Sequence, residues 1–304
     1  MISTVFKANI QNGKYKVYVS SDKYFHTKWC AYVAESDSHV KTLFTSANLT
    51  TDHLKPWQYG KKVIPNSVVT DDRMEKGIFE NGVLGPQRKR CSSSCSIVKW
   101  DSQSKVFKPE YEAYEHSEKK QTGRSLDIPQ NISSRLIYQK VVDFIQTVKT
   151  HMRDKPSGAN HYIYLVSPFI IKTINYDSSI IDKLCEICCD RDGAASSDQA
   201  VLTTKIVHFH DRYSPESVKA KLKQIASKVR TSLARNKFHS KFIAWVRSDE
   251  VEVRILQTSA NFNSENMSLS SREGGWDFSN LEWIVKHAIT KAKWIRIIQL
   301  IGFE

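Results

Sequence analysis

The chain has 304 residues, 45 of them Lys or Arg against 32 Asp or Glu, for a formal net charge of +13. This length supports one large or two compact domains, and 40% hydrophobic with 25% charged residues is the balance of a water-soluble globular protein. No run reaches the roughly 18 apolar residues that a membrane helix requires. Met1 to Lys14 contains no apolar stretch followed by a small-residue cleavage site. The expectation is therefore an intracellular protein without a membrane partner, with nucleus and cytoplasm both open. The positive excess suits a polyanionic partner, although charge describes a field and not a site.

In chain order, residues 14–20, 24–34 and 40–46 read as strands. Leu84 to Thr122 is rich in Ser, Lys, Gly and Gln and reads as a loop-like connection. Arg88, Lys89 and Arg90 within it read as a solvated basic cluster that can touch phosphates. Residues 134–152 have apolar positions at helical spacing. Residues 161–171 are β-branched and aromatic and read as a buried strand. Ser178 to Cys189 reads as a helix, and 204–210 as a strand. Ser214 opens a long helix through about Leu233, with Ser-Pro-Glu as its start signal. Strands follow at 237–246, 251–258 and 280–286, then a closing helix from about Thr290. This order predicts an α/β fold, a mixed sheet with helices on its faces.

The six cysteines, Cys30, Cys91, Cys95, Cys185, Cys188 and Cys189, lack both disulfide-scaffold density and paired zinc spacing. They read as free, mostly packed thiols. His208 and His210 alternate on a strand beside Asp211 but lack a third spaced ligand. His53, His151 and His161 show no partner pattern. No metal and no cofactor are expected.

One signal stands above the rest. Residues 25–50 read FHTKWCAYVAESDSHVKTLFTSANLT, and residues 238–263 read FHSKFIAWVRSDEVEVRILQTSANFN. The two align without a gap, and sixteen residues separate Lys28 from Thr45 as they separate Lys241 from Thr258. A duplicated unit is the natural inference. On a strand, residues two apart share a face. His26 therefore projects with Lys28, His239 with Lys241, Ser46 with Asn48, and Ser259 with Asn261. Lysine supplies charge and Ser and Asn donate hydrogen bonds, which suits a phosphoryl group. Histidine titrates near neutrality and serves as nucleophile or proton donor. Trp29, Trp57, Trp245, Trp276 and Trp283 lie close to these motifs and read as core by default, with stacking on a base as the alternative role for one of them.

These residues resemble the phospholipase D superfamily, whose motif is His-x-Lys followed by a small-residue turn with Ser and Asn, twice per active site. The common motif has an Asp five residues after the Lys; here Val33 and Val246 stand there. That departure looks more like the tyrosyl-DNA phosphodiesterase branch, with its His-Lys-Asn motif. The resemblance implies phospholipase D-like mixed β-sheet lobes with flanking helices, duplicated about a pseudo-twofold. It implies a truncated first lobe with a loop-rich connection over residues 1–125 and a complete second lobe over 126–304. It also implies a covalent, metal-independent phosphodiesterase. His26 is then the nucleophile that forms a phosphohistidine, and His239 the general acid and base. Lys28, Lys241, Asn48 and Asn261 clamp phosphoryl oxygens, assisted by Ser46 and Ser259. Glu282 is placed to orient the second histidine, with Gln58 a weaker counterpart for the first.

The expected partner is nucleic acid, DNA or RNA, with a nuclease or the removal of adducts from DNA 3′ ends as the activity. A phospholipase D-type lipid enzyme is the alternative. A catalytically weak nucleic-acid-binding member of the same fold is a third reading, which the short first lobe favours and the intact motifs oppose. With both motifs on one chain, a monomer suffices for a whole site.

Overall fold

The computed structural model describes residues 18–20, 26–33, 36–46, 68–87, 95–101, 106–111, 129–154, 159–169, 203–209, 230–233, 239–262 and 281–301, with a few single positions besides. Asn48, Gln58, the basic cluster at 88–90, the helix expected at 178–189, His53, His210, Trp57 and Trp276 lie outside the described residues.

The chain is a mixed α/β protein, with three sheets among the described residues. The largest has seven strands: β7 (Gln130–Ser133), β8 (His161–Val166), β9 (Thr203–Phe209), β10 (Arg230–Leu233), β11 (Phe242–Arg247), β12 (Glu252–Thr258) and β13 (Leu281–Thr290). Their order across the sheet is β10-β9-β8-β11-β12-β13-β7. The pairs β10–β9 and β9–β8 are parallel, and the rest antiparallel. Two smaller antiparallel sheets are built from β2 (Trp29–Val33), β3 (His39–Thr45) and β4 (Val68–Glu75), and from β1 (Tyr18–Ser20), β5 (Cys95–Asp101) and β6 (Val106–Tyr111). Strands of the large sheet thus fall between 130 and 290, and those of the small sheets between 18 and 111.

Strand β11 is central and buried along almost its whole length, as an apolar run covered on both faces should be. Phe242, Ala244 and Val246 point to one face and meet Trp294 and Ile301 at the closing helix. Ile243 and Trp245 point to the other, where Trp245 meets His151. His151 belongs to the long helix Ser134–Asp154, and Ile137, Val141, Phe144, Ile145 and Val148 form its buried stripe. The closing helix spans Lys291–Leu300, and the Thr290 side chain caps it by accepting from the Lys293 N–H.

Two expectations are corrected. The segment 84–122 is not loop throughout, since β5 and β6 form a hairpin within it. Their short apolar content, Ile97, Val98 and Trp100 in one strand and Val106 and Phe107 in the other, is hidden by the Ser- and Lys-rich flanks. The helix from Ser214 does not run to Leu233, because Arg230–Leu233 is strand β10, paired with β9. Thr231 and Ser232 are poor helix formers, and parallel pairing overrides what propensity remains. Strands β4 and β7 were not foreseen at all.

The small sheet β2-β3-β4 is packed onto β13. Val40, Phe44, Met74, Phe79 and Val83 form one buried cluster with Trp283 and Val285. Trp283 is fully buried, stands edge-on to Phe44, and donates its indole N–H to the Thr45 carbonyl at 2.9 Å. Burying one such side chain contributes about 1.5–3 kcal/mol. Asn131 on β7 ties the same parts together. Its Oδ1 accepts from Thr27 Oγ1 at 2.8 Å, and its Nδ2 donates to the Val83 carbonyl at 2.9 Å.

Candidate active site

The site grows out of two hairpins with the same register. In the first, Trp29 faces Phe44 and Val33 faces Val40. In the second, Phe242 faces Gln257 and Val246 faces Val253, each residue 213 positions further on. Just before each hairpin's first strand, a further backbone bond repeats: the Thr45 N–H donates to the Lys28 carbonyl at 3.1 Å, and the Thr258 N–H to the Lys241 carbonyl at 3.0 Å. Each histidine therefore sits just upstream of the first strand, and each Ser-Ala turn follows the second.

The hairpins meet at β13. The backbone N–H groups of His26 and Thr27 both donate to the Leu281 carbonyl. The next residue, Glu282, is fully buried. His26 Nδ1 lies 2.9 Å from each of its carboxylate oxygens, with hydrogen-bond geometry to Oε2. Ser259 Oγ donates to the same oxygen and accepts from the Trp283 N–H at 3.0 Å. Glu282 was expected beside the second histidine and is found on the first. The reason is topological: β13 runs between the second hairpin and the segment that carries His26.

His239 faces the first motif in return. It is hydrogen-bonded to the Ser46 backbone and lies within electrostatic reach of His26, Lys28 and Lys241. Burial, then the Lys241 and Lys28 charges, pull its pKa down to about 2, so the ring is neutral. Lys241 Nζ donates to His239 Nδ1 and to the His239 carbonyl, each at 2.7 Å. Lys28 Nζ donates to the His26 carbonyl in the same manner.

The two lysines differ in access. Lys241 is fully buried, and burial holds its pKa well below the usual lysine range, with Glu282 acting the other way. Lys28 is only partly buried, and desolvation brings it down to about 8 against the same carboxylate. Two amines thus face one buried carboxylate, and a bound anion would favour their charged forms. Ser46 Oγ and Asn261 Oδ1 are buried without a hydrogen-bond partner among the described residues. Such leftover polar capacity is costly in a finished core and common where a ligand sits.

The structure therefore brings together His26, Lys28, Ser46, His239, Lys241, Ser259 and Glu282, and puts Asn261 on the turn after Ser259. Ser259 is committed to Glu282 and so acts on the carboxylate. Sequence reasoning missed Asn131 and Thr27, which help hold the two motifs in place, since isolated residues of these types carry no periodic signal; Trp283, read as core, is buried as expected, but its bond to Thr45 was not foreseen. Among the described residues, no group of three or more His, Cys, Asp or Glu is arranged to hold a metal ion. No described helix is long and apolar enough to cross a membrane.

No protein-family model and no curated protein matches the chain. Among solved structures, the polyphosphate kinase of Porphyromonas gingivalis is similar with a TM-score of 0.48 and 10% identity, over 91% of this chain and 32% of that one. TrmBL2, an archaeal chromatin protein whose structure shows a novel mode of DNA binding, has a TM-score of 0.27 and 11% identity, over 56% of this chain and 49% of that one. The chain thus spans about a third of the first protein's length and about half of the second's. Both likenesses are too distant to carry an argument about function.

Proposed function

We propose that the chain is a phosphodiesterase of the phospholipase D type, duplicated about a pseudo-twofold, acting on nucleic acid through a phosphohistidine. The observation that carries this reading is the convergence of the two His-x-Lys motifs on one another and on Glu282. In the neutral tautomer that donates Nδ1–H to Glu282, the His26 lone pair lies on Nε2, where a nucleophile needs it. Nε2 attacks phosphorus, the P–O bond to the leaving group breaks, and His239 delivers the proton that the departing oxygen requires. Water then attacks the phosphohistidine, its proton passes to His239, and His26 is released. A bound phosphoryl group offsets the charges of Lys28 and Lys241, which raises the His239 pKa from its resting value. Proton transfer is thereby tied to substrate occupancy. The net charge of +13 favours a nucleic-acid backbone over a neutral lipid headgroup.

The test is cleavage of a labelled oligonucleotide carrying a phenolic 3′ adduct, in excess EDTA. A phenolic group leaves without prior protonation, so the His239→Ala variant should accumulate a covalent protein–DNA adduct, and His26→Ala should form none. Loss of cleavage in EDTA sinks the metal-independent reading. Adduct formation that requires His239 and not His26 reverses the two roles. Turnover confined to phosphatidylcholine vesicles replaces nucleic acid by lipid as the substrate.

A further inference from the structure

The two hairpins share a register, yet the serines of their Thr-Ser-Ala-Asn segments are used differently. Ser46 Oγ is buried without a hydrogen-bond partner among the described residues, and the Ser46 backbone is the part that meets His239. Ser259 is equally buried, but its hydroxyl is engaged twice. Oγ donates to Glu282 Oε2 and accepts from the Trp283 N–H at 3.0 Å. The Ser259 N–H donates in turn to the Trp283 carbonyl at 3.1 Å. A hydroxyl has one proton to donate, so with this bond intact Ser259 has none for a phosphoryl oxygen.

The oxygen that takes this proton is also the hydrogen-bond partner of His26 Nδ1. Lys28 and Lys241 both feel the same carboxylate, and attraction between opposite charges is strong in a buried site. Yet both amines bond elsewhere, Lys28 to the His26 carbonyl and Lys241 to the His239 carbonyl. We infer that Ser259 is a positioning residue for His26, acting through Glu282: its hydroxyl holds the carboxylate against the imidazole and keeps it from closing onto Lys28 or Lys241. Groups that orient a working histidine are themselves held by a further hydrogen bond. The second hairpin thereby steadies the histidine of the first. The inference rests on the proposed role of His26 as nucleophile, and it removes Ser259 from the set that contacts the phosphoryl group.

Histidine-selective nitrogen-15 NMR in mildly alkaline buffer observes His26 directly, with His26→Gln assigning its signals. The wild type should show a ring protonated on Nδ1. Ser259→Ala should shift His26 toward a mixture of tautomers and lower kcat on an oligonucleotide by about 10–100-fold, with KM and the Kd for sulfate changed less than about twofold. A wild-type ring protonated on Nε2 overturns the inference. So does Ser259→Ala with an unchanged tautomer, or with a sulfate Kd raised about tenfold or more, which returns Ser259 to the phosphate contacts. A wild type without activity on oligonucleotides sinks the proposed function instead, and the tautomer comparison then still decides what Ser259 does to His26. Should Ser259→Ala fail to fold, Ser259→Cys, close in size but a weak donor, is read by the same measure.

Discussion

His26 and Glu282 stand 256 positions apart in the chain, yet the imidazole Nδ1 lies 2.9 Å from the carboxylate. A carboxylate in this position fixes the ring tautomer and offsets two neighbouring ammonium groups. Glu282→Gln keeps the shape and removes the charge. On the proposed function, kcat should fall by about 10²–10⁴-fold, the range of one positioned proton-transfer group. Stability should fall by about 3–5 kcal/mol, because buried Lys241 and half-buried Lys28 lose their counter-charge. Inorganic phosphate should restore part of that stability. Denaturant titration with and without phosphate checks the second effect independently of any substrate.

Lys28 predicts a pH-dependent effect. Its pKa is brought from 10.5 to about 8 in the folded protein, chiefly by burial. Between these values the unfolded chain binds more protons than the native one, so stability should rise as pH climbs from about 8 to 10.5. On the proposed function, activity should move in the opposite sense, since a phosphate clamp needs the charged amine. The alkaline limb of kcat/KM should fall near pH 8, and Lys28→Arg should shift it upward. A limb that ignores this substitution removes Lys28 from phosphate binding.

Trp283 joins the two motif-bearing regions through its indole N–H, which donates to Thr45. Trp283→Phe retains an aromatic ring but strands a buried carbonyl. The expected cost is about 1–3 kcal/mol, read as a lower denaturation midpoint at unchanged slope. On the proposed function, kcat should fall more than KM rises, because Ser46 and His239 lose their shared register.

His161 sits away from the reacting groups and predicts an acid effect of its own. Its Nδ1 accepts from Trp245 Nε1 at 3.1 Å, which requires the neutral ring. Burial and the Arg247 charge lower its pKa from 6.5, joined by His151 and opposed by Asp249 and Glu250. Arg254 lies over the other ring of this cluster, Trp245. Below about pH 6.5 the unfolded chain takes up the proton first, so native stability should fall with pH. His161→Gln should flatten that dependence in thermal melts between pH 5 and 7; an unchanged slope assigns the acid sensitivity elsewhere.

The motif pairs were legible because identity and spacing coincide twice. The strand geometry expected for His26 and Lys28 did not hold, since both precede β2, which begins at Trp29. Glu282 was legible as a partner but not as His26's partner, because which lobe a strand leans toward is a property of packing. The β5–β6 hairpin was obscured by polar flanks. His151 and His161 showed no pattern in sequence, since their shared neighbour, Trp245, lies 84 positions beyond His161.

The Asn131 side chain, which bonds both Thr27 and the Val83 carbonyl, bears on how the protein comes apart. Cutting the backbone between Tyr111 and Gln130 would leave one motif histidine on each fragment, His26 on the first and His239 on the second, with Asn131 and Glu282 both on the second. The first fragment would keep His26 without the carboxylate that orients it. Reassembly of the two pieces would then require docking of the first onto the second, and recovered activity on mixing would report that docking directly.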